Sequence, residues 1–377
     1  MITSNSILFT IICVFGLQAI LLSILLFLKK PRTLAQLFLS LLLLFHAVNA
    51  INIVVVNVLK DYDLMYVFRY IQLELLYGIG PALYFYTLSI TKKDFTFKRK
   101  YWIHFLPLLL EFIFYRTSFY RDGSNGLYET PLPTITYIYL MQQWIGVISL
   151  ITYGVISLKI LYNYEKKLKN YFSKIDDKTF DWLKIPILIY GSFYIFWNVL
   201  TEIDRFFFDR TLREYYFLPT FVIISIVTCW IGFKGYVRKE SFFVNNKDFD
   251  SKKDNKSNEN DKDLEFVKKL DNLMKEKRPY LNPDLNLSKL AELLEMKSKI
   301  LSQKINQNYD RNFYDLINFY RVEAFKNYVK SNSSEKFSLL GIAYECGFNS
   351  KSTFNLVFKK HTQITPSQYF KKIKKES

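Results

Sequence analysis

Thiols, imidazoles and carboxylates are the scarce groups in this chain of 377 residues. The three cysteines, Cys13, Cys229 and Cys346, stand far apart. They offer neither a disulfide framework nor a thiolate metal site, and that pattern suits a reducing cytoplasm. The three histidines, His46, His104 and His361, make no pair at metal-ligand spacing. Glu74, Glu111 and Glu202 have no His, Cys or metal-type partner at a diagnostic interval, so no catalytic constellation is visible. A nucleotide-binding glycine motif is missing too, and with it the case for a sensor kinase. These absences lead to the expectation of a non-enzyme with no metal and no cofactor. Asp and Glu number 34 against 51 Lys and Arg, a net charge of +17. Such a surplus points to polyanionic partners: nucleic acid, anionic lipid, or both.

Apolar side chains are abundant, and they are unevenly placed. Half of the chain is hydrophobic and 18% is aromatic. Residues 1–238 are mostly apolar runs with short basic breaks, whereas 239–377 read as ordinary soluble sequence. About 20 apolar residues cross a bilayer as a helix. Ile7 to Leu28 is such a run, free of charge and too long for a signal-peptide core, so it reads as a retained span. Leu34 to Val58, Val67 to Ile90, Tyr101 to Thr117, Thr136 to Leu161, Leu183 to Phe207 and Tyr216 to Phe233 complete a set of seven. Tyr101 to Thr117 is the weakest, being short and containing Glu111. Alternate connections differ in charge. Between these bounds the first, third and fifth hold thirteen Lys and Arg, including Lys29, Lys98 and Lys166, and the intervening ones hold four. By the positive-inside rule the N-terminus lies outside and the C-terminus in the cytoplasm.

Polar residues within spans are costly and draw attention. In this topology Asn49, Asn52, Gln72, Glu74, Gln142, Gln143, Asn198 and Glu202 fall in the outer half of their spans. An outward-facing signal pocket would produce that bias, with Glu74, Glu202, Asn52 and Gln142 as its candidates. Interhelical hydrogen bonding is the plainer explanation. Gly78, Gly80 and Pro81 mark a close helix approach or a hinge. The seventh span has no lysine near its middle, which leaves a retinal-type Schiff base unsupported. His46 and His104 read as packed or interfacial.

Residues 245–263, NNKDFDSKKDNKSNENDKD, are too polar to bury a core. As a flexible coil they would span roughly 25 Å. Helical periodicity resumes at Leu264 to Lys277, with Leu264, Val267, Leu270, Leu273 and Met274 on one side. Ser288 to Leu294, a turn at Glu295 to Lys297 and a helix to about Asn306 have helix-turn-helix spacing. The second helix of such a unit fits a major groove about 12 Å wide. Leu301 and Ile305 would face inward; Lys299, Ser302 and Gln303 would share the outer face. After an amphipathic helix from Phe313 to Val329 the plan repeats. Leu339 to Glu345, a turn at Gly347 to Asn349 and a helix from Ser350 to His361 place Phe354 and Phe358 inward. Lys351, Ser352 and Asn355 then point outward, and Lys359 and Lys360 suit phosphates. The stretch from Pro279 carries a charge of +7. Arg321 reads as a structural brace between the units, and His361 as a surface residue.

Three stretches carry a family resemblance: LSKLAELLEMKSKILSQKIN, FYDLINFYRVEAF and IAYECGFNSKSTFNLVFKKHTQITPSQY. Together they resemble the DNA-binding domain of AraC/XylS-type transcription regulators over residues 279–370, the last stretch most specifically. The whole chain is also similar to a subgroup in which seven spans replace the usual ligand-binding domain. The resemblance implies that each recognition helix enters one of two successive major grooves. It implies base readers at Lys299, Ser302, Gln303, Lys351, Ser352 and Asn355, with Lys359 on phosphate. This chain departs from the family at three places. Lys297 stands where a small N-cap residue is usual, with Ser298 able to cap one residue late. Gln363 replaces the glycine before Thr-Pro. Gly341 lies inside a helix, at a cost of about 1 kcal/mol.

The expectation is therefore an all-α chain in three parts. Residues 1–238 form a seven-helix transmembrane domain, 239–263 a flexible linker, and 264–377 a double helix-turn-helix DNA-binding domain. It would sit in the inner cell membrane as a one-component transcription regulator. Its partners would be double-stranded DNA, the lipid bilayer and a small-molecule or membrane signal. The two units can bind DNA as a monomer, and a homodimer paired through the membrane domain is compatible with the sequence. The alternative is a transporter or membrane enzyme fused to an autoregulatory helix-turn-helix domain.

Overall fold

All regular structure among the described residues is helical. The computed structural model describes residues 4–54, 75–114, 133–176, 178–209, 211–238, 263–331 and 338–376. The chain divides into two compact units, one from 1–162 and 180–243, the other from 163–179 and 244–377.

The first unit begins with α1 (Ser4–Leu28), α2 (Leu34–Val54) and α3 (Leu76–Thr91). A 3-10 turn at Arg99–Phe105 leads into α4 (Leu106–Phe114). Then come α5 (Pro133–Leu168), α6 (Asp181–Phe207) and α7 (Arg213–Val237). Five stretches are long and apolar enough to cross a membrane: Ile7–Leu28, Leu34–Ile51, Leu140–Leu168, Asp181–Phe207 and Tyr215–Val237. They correspond to the first, second, fifth, sixth and seventh expected spans. The third and fourth expected spans run into residues outside the described set.

Large apolar side chains cover the outside of this unit, among them Leu17, Ile148 and Phe206. Water would penalise so much exposed apolar surface, and lipid removes the penalty. Between the helices the contacts are tight and partly polar. Ser23 and Ser40 hydroxyls lie 3.0 Å apart across α1 and α2, each also donating to the other's carbonyl at 2.9 Å. A methyl group at Gly80 would come within 2.7 Å of the Tyr153 ring, and one at Gly78 within 2.6 Å of the Phe45 ring. The glycine run is thus a close-packing device. His46 stacks on Tyr190 at 4.9 Å and His104 Nδ1 lies 2.7 Å from the Tyr153 hydroxyl, so both rings are packed. Buried Asp204 accepts from the Leu212 N–H (2.9 Å) and the Tyr216 hydroxyl (3.1 Å), closing the turn between α6 and α7.

The second unit contains α8 (Leu264–Glu276), α9 (Leu287–Leu293), α10 (Ser298–Tyr309) and α11 (Phe313–Lys330). It ends with α12 (Leu339–Glu345), α13 (Lys351–Thr362) and α14 (Pro366–Glu376). Asp263 caps α8 by accepting from the Phe266 N–H. The inward face of α8 is Phe266, Leu270, Leu273 and Met274; Leu264, expected inside, is 68% exposed. The helix starts two residues before the core begins at Phe266, so its first side chain falls outside the buried stripe. Leu290, Ala291, Leu294, Leu301 and Ile305 join this core as their spacing predicts. Around α11 an aromatic cluster forms a second centre, with Phe325 4.8 Å from Phe354 and 5.3 Å from Phe358.

Candidate nucleic-acid interface

Two helix pairs, α9–α10 and α12–α13, each join through a tight turn. In the first turn Glu295 is left-handed (φ 57°). In the second, Gly347 has φ 90°, and a methyl group there would lie 2.5 Å from the Tyr280 carbonyl oxygen. Only glycine meets both demands. Asn286, Ser338 and Ser350 cap α9, α12 and α13 by accepting from N–H groups three residues on. The α10 helix has Lys297 as its N-cap and no side-chain cap. The Ser298 hydroxyl points instead toward Ser288 Oγ, 3.4 Å away. Gln363 adopts the left-handed stop after α13 (φ 64°) despite its side chain.

The expected reading faces are outward. Lys299 and Gln303 are exposed and Ser302 is half-buried on α10, opposite buried Leu301 and Ile305. On α13, Lys351, Ser352, Asn355 and Lys359 are exposed, opposite Phe354, Val357 and Phe358. Neighbouring lysines are engaged: Lys304 pairs with Asp263, and Lys360 with Asp315 at 2.7 Å. Among the described residues Lys299, Lys351 and Lys359 form no ion pair, which leaves their charge available to a polyanion.

Arg321 is 2% exposed. Its Nε donates to the Tyr280 carbonyl (2.8 Å) and Nη2 to the Asn282 carbonyl (3.0 Å). These bonds tie α11 to the segment entering the first pair. Burial lowers its pKa to about 10, still charged at neutral pH. Its other partner was not legible in the sequence. Nη1 donates to the Ser173 carbonyl (3.3 Å) and Nη2 to Ser173 Oγ (3.2 Å). Ser173 lies in Asn163–Thr179, which belongs to this unit. The Leu287 N–H donates to the Tyr171 carbonyl (2.9 Å) and the Tyr314 N–H to the Lys169 carbonyl (2.9 Å). Ser173 Oγ donates to the Leu285 carbonyl (2.5 Å). Asp176 then accepts from Ser350 Oγ (3.0 Å) and Thr353 Oγ1 (2.5 Å). The one sequence signal for this attachment was Tyr171, Phe172 and Ile175, apolar side chains inside a basic connection.

Cys346 is buried and its thiol is pushed up to about 12, so it is unreactive. His361 is half-buried beside Phe319, not on the surface as expected; burial, Arg311 and Lys360 hold its pKa below the usual value.

The geometry above is that of a twin helix-turn-helix, and one comparison agrees with it. Residues 290–372 match the family model of a helix-turn-helix domain. That match supports the AraC/XylS-type character of the C-terminal part and supports DNA as its partner. Neither the curated proteins nor the solved structures give a match.

The membrane candidates are less connected. Glu202 accepts from Trp144 Nε1 (3.2 Å) and Arg205 (3.1 Å), and the Gln142 carbonyl accepts from the Tyr77 hydroxyl (2.9 Å). Glu74 and the side chain of Asn52 lie outside the described residues. A cavity of about 20 Å³, lined in part by His46, Asn49, Tyr194 and Thr228, includes neither Gln142 nor Glu202. It has room for a water and little more.

Proposed function

We propose that this chain is a membrane-embedded one-component transcription regulator. Its C-terminal unit reads DNA through Lys299, Ser302 and Gln303 of α10 and Lys351, Ser352 and Asn355 of α13, with Lys359 on phosphate. The observation that carries this reading is the pair of outward faces with unpaired lysines, on a twin helix-turn-helix in a chain that also holds five apolar helices. Lysine on an exposed helix face contacts phosphate, and polar side chains beside it reach base edges. Seven spans, an outside N-terminus and a cytoplasmic DNA-binding unit follow from the charge of the connections. The signal acts on the membrane part, where Glu74, Glu202, Asn52 and Gln142 are the proposed contacts.

The test is to map where the full-length protein crosslinks to its host chromosome. Sharp peaks sharing a short motif are expected, and binding to such a site falls steeply with salt as counterions are released. Diffuse or absent peaks across several growth conditions, with the protein verified in the membrane, would overturn the reading in favour of transport or protein binding.

A further inference from the structure

The segment Asn163–Thr179, the end of α5 and its connection toward α6, packs with the helix-turn-helix unit. Its first part is built into that unit. Ser173 is 1% exposed, and its backbone and hydroxyl are held by Arg321 and Leu285. Asp176, three residues on, is exposed and rests on α13 through the Ser350 and Thr353 hydroxyls. The first turn of a helix presents unpaired N–H groups and the positive end of its dipole, which is why phosphates bind there. The N-terminal residues of a recognition helix are also those that reach bases. The Asp176 carboxylate therefore sets a negative charge at that end of α13, held by the hydroxyls of Ser350 and Thr353, the residues that flank Lys351 and Ser352 in the chain.

The geometry points to an intramolecular latch: the α5–α6 connection is a ligand of the DNA-binding unit, and Asp176 competes with a DNA phosphate for the first turn of α13. This rests on the DNA-binding reading. The connection is covalently continuous with two apolar helices, so a signal that moves them has a short route to the recognition helix. Lys169 to Ser173 are anchored by backbone bonds and Arg321, whereas Asp176 holds α13 through hydroxyls alone. The latch opens without undocking the whole segment. By linkage, DNA on α13 expels Asp176 to the same degree that Asp176 weakens DNA.

The test uses full-length protein in phospholipid nanodiscs and a random-sequence duplex at low salt, then a duplex recovered by chromosome crosslinking. Asp176→Asn and Asp176→Ala are expected to tighten binding about fivefold or more. Unchanged affinity overturns the latch. Weaker affinity overturns it too and makes the connection part of the DNA face, a role its lysines would suit. A second measurement pairs Asp176→Cys with Thr353→Cys. The disulfide should form without DNA, slow when DNA is bound first, and abolish binding until reduced. Failure to crosslink, or equal binding by the oxidised and reduced forms, sinks the proposal. If wild-type protein binds neither duplex, the DNA-binding reading has failed, and the latch falls with it.

Discussion

In the first helix-turn-helix the recognition helix α10 starts at Lys297 with no side chain on its free N–H groups; in the second, Ser350 caps α13 and also holds Asp176. The first pair leans on its neighbours. Lys304 of α10 is tied to Asp263, and Tyr309 donates to Asp271 of α8 (2.8 Å). The second pair is fixed locally, by two serine caps, by Gly347 in its turn, and by Phe358 against Tyr369 of α14 (5.5 Å). One plan is thus stabilised in two ways. The unit with complete local capping is also the one whose first turn is covered by an anion of the chain itself.

The comparison breaks most severely at Arg321, which ties α11 to the segment entering the first pair and to the α5–α6 connection. Arg321→Ala should cost about 4 kcal/mol, because buried carbonyls and Ser173 lose their donor. Loss of hydrogen-exchange protection in α11 and in Lys169 to Ser173 together would be the signature. Arg321→Lys should not rescue it, since one ammonium cannot span acceptors set for a fork. Protection unchanged in the connection would separate the two pairs from it. Gly347→Ala comes next, at about 2 kcal/mol or more, from left-handed strain and the clash with the Tyr280 carbonyl. Its effect should centre on α12 and α13 and spare α10; equal loss in α10 would mean that the pairs unfold as one.

Much of this unit was legible because the burial pattern is local. Leu290, Ala291, Leu294, Leu301, Ile305, Phe354 and Phe358 face inward at helical spacing, and the serine and asparagine caps stand where helices begin. The left-handed stop was less legible, since Gln363 adopts it without glycine. The docking of Lys169 to Asp176 was barely legible, its one signal being Tyr171, Phe172 and Ile175 inside a basic connection. It runs largely through backbone N–H and carbonyl groups, which every residue owns, between segments more than a hundred positions apart. The apolar runs announced the five helices that are long and apolar enough to cross a membrane. The four pocket candidates could not be joined by sequence alone, because bringing them together depends on helix rotation that charge and hydropathy do not encode.

Charge sharpens the contrast further. Lys299→Ala and Lys351→Ala should each weaken binding to a mapped site about tenfold and lower the salt slope by about one. If Asp176 covers α13, the Lys351 variant should lose less in wild-type background than in Asp176→Ala, while the Lys299 variant should lose the same in both. Equal losses at both lysines in both backgrounds, measured by titration across a salt series, would erase the difference between the two recognition helices.

The smallest expected change is the most direct test of the missing cap. Lys297→Ser gives α10 the acceptor that Ser350 gives α13, and an added N-cap stabilises by about 1 kcal/mol. The gain should appear as higher exchange protection in the first turn of α10, with α13 unaffected. Removing Lys297 also takes a positive charge from the helix N-terminus, where it opposes the dipole, so both terms act in the same direction. No gain would mean that water or the backbone already satisfies those N–H groups, and that the two pairs differ in sequence but not in how firmly their recognition helices begin.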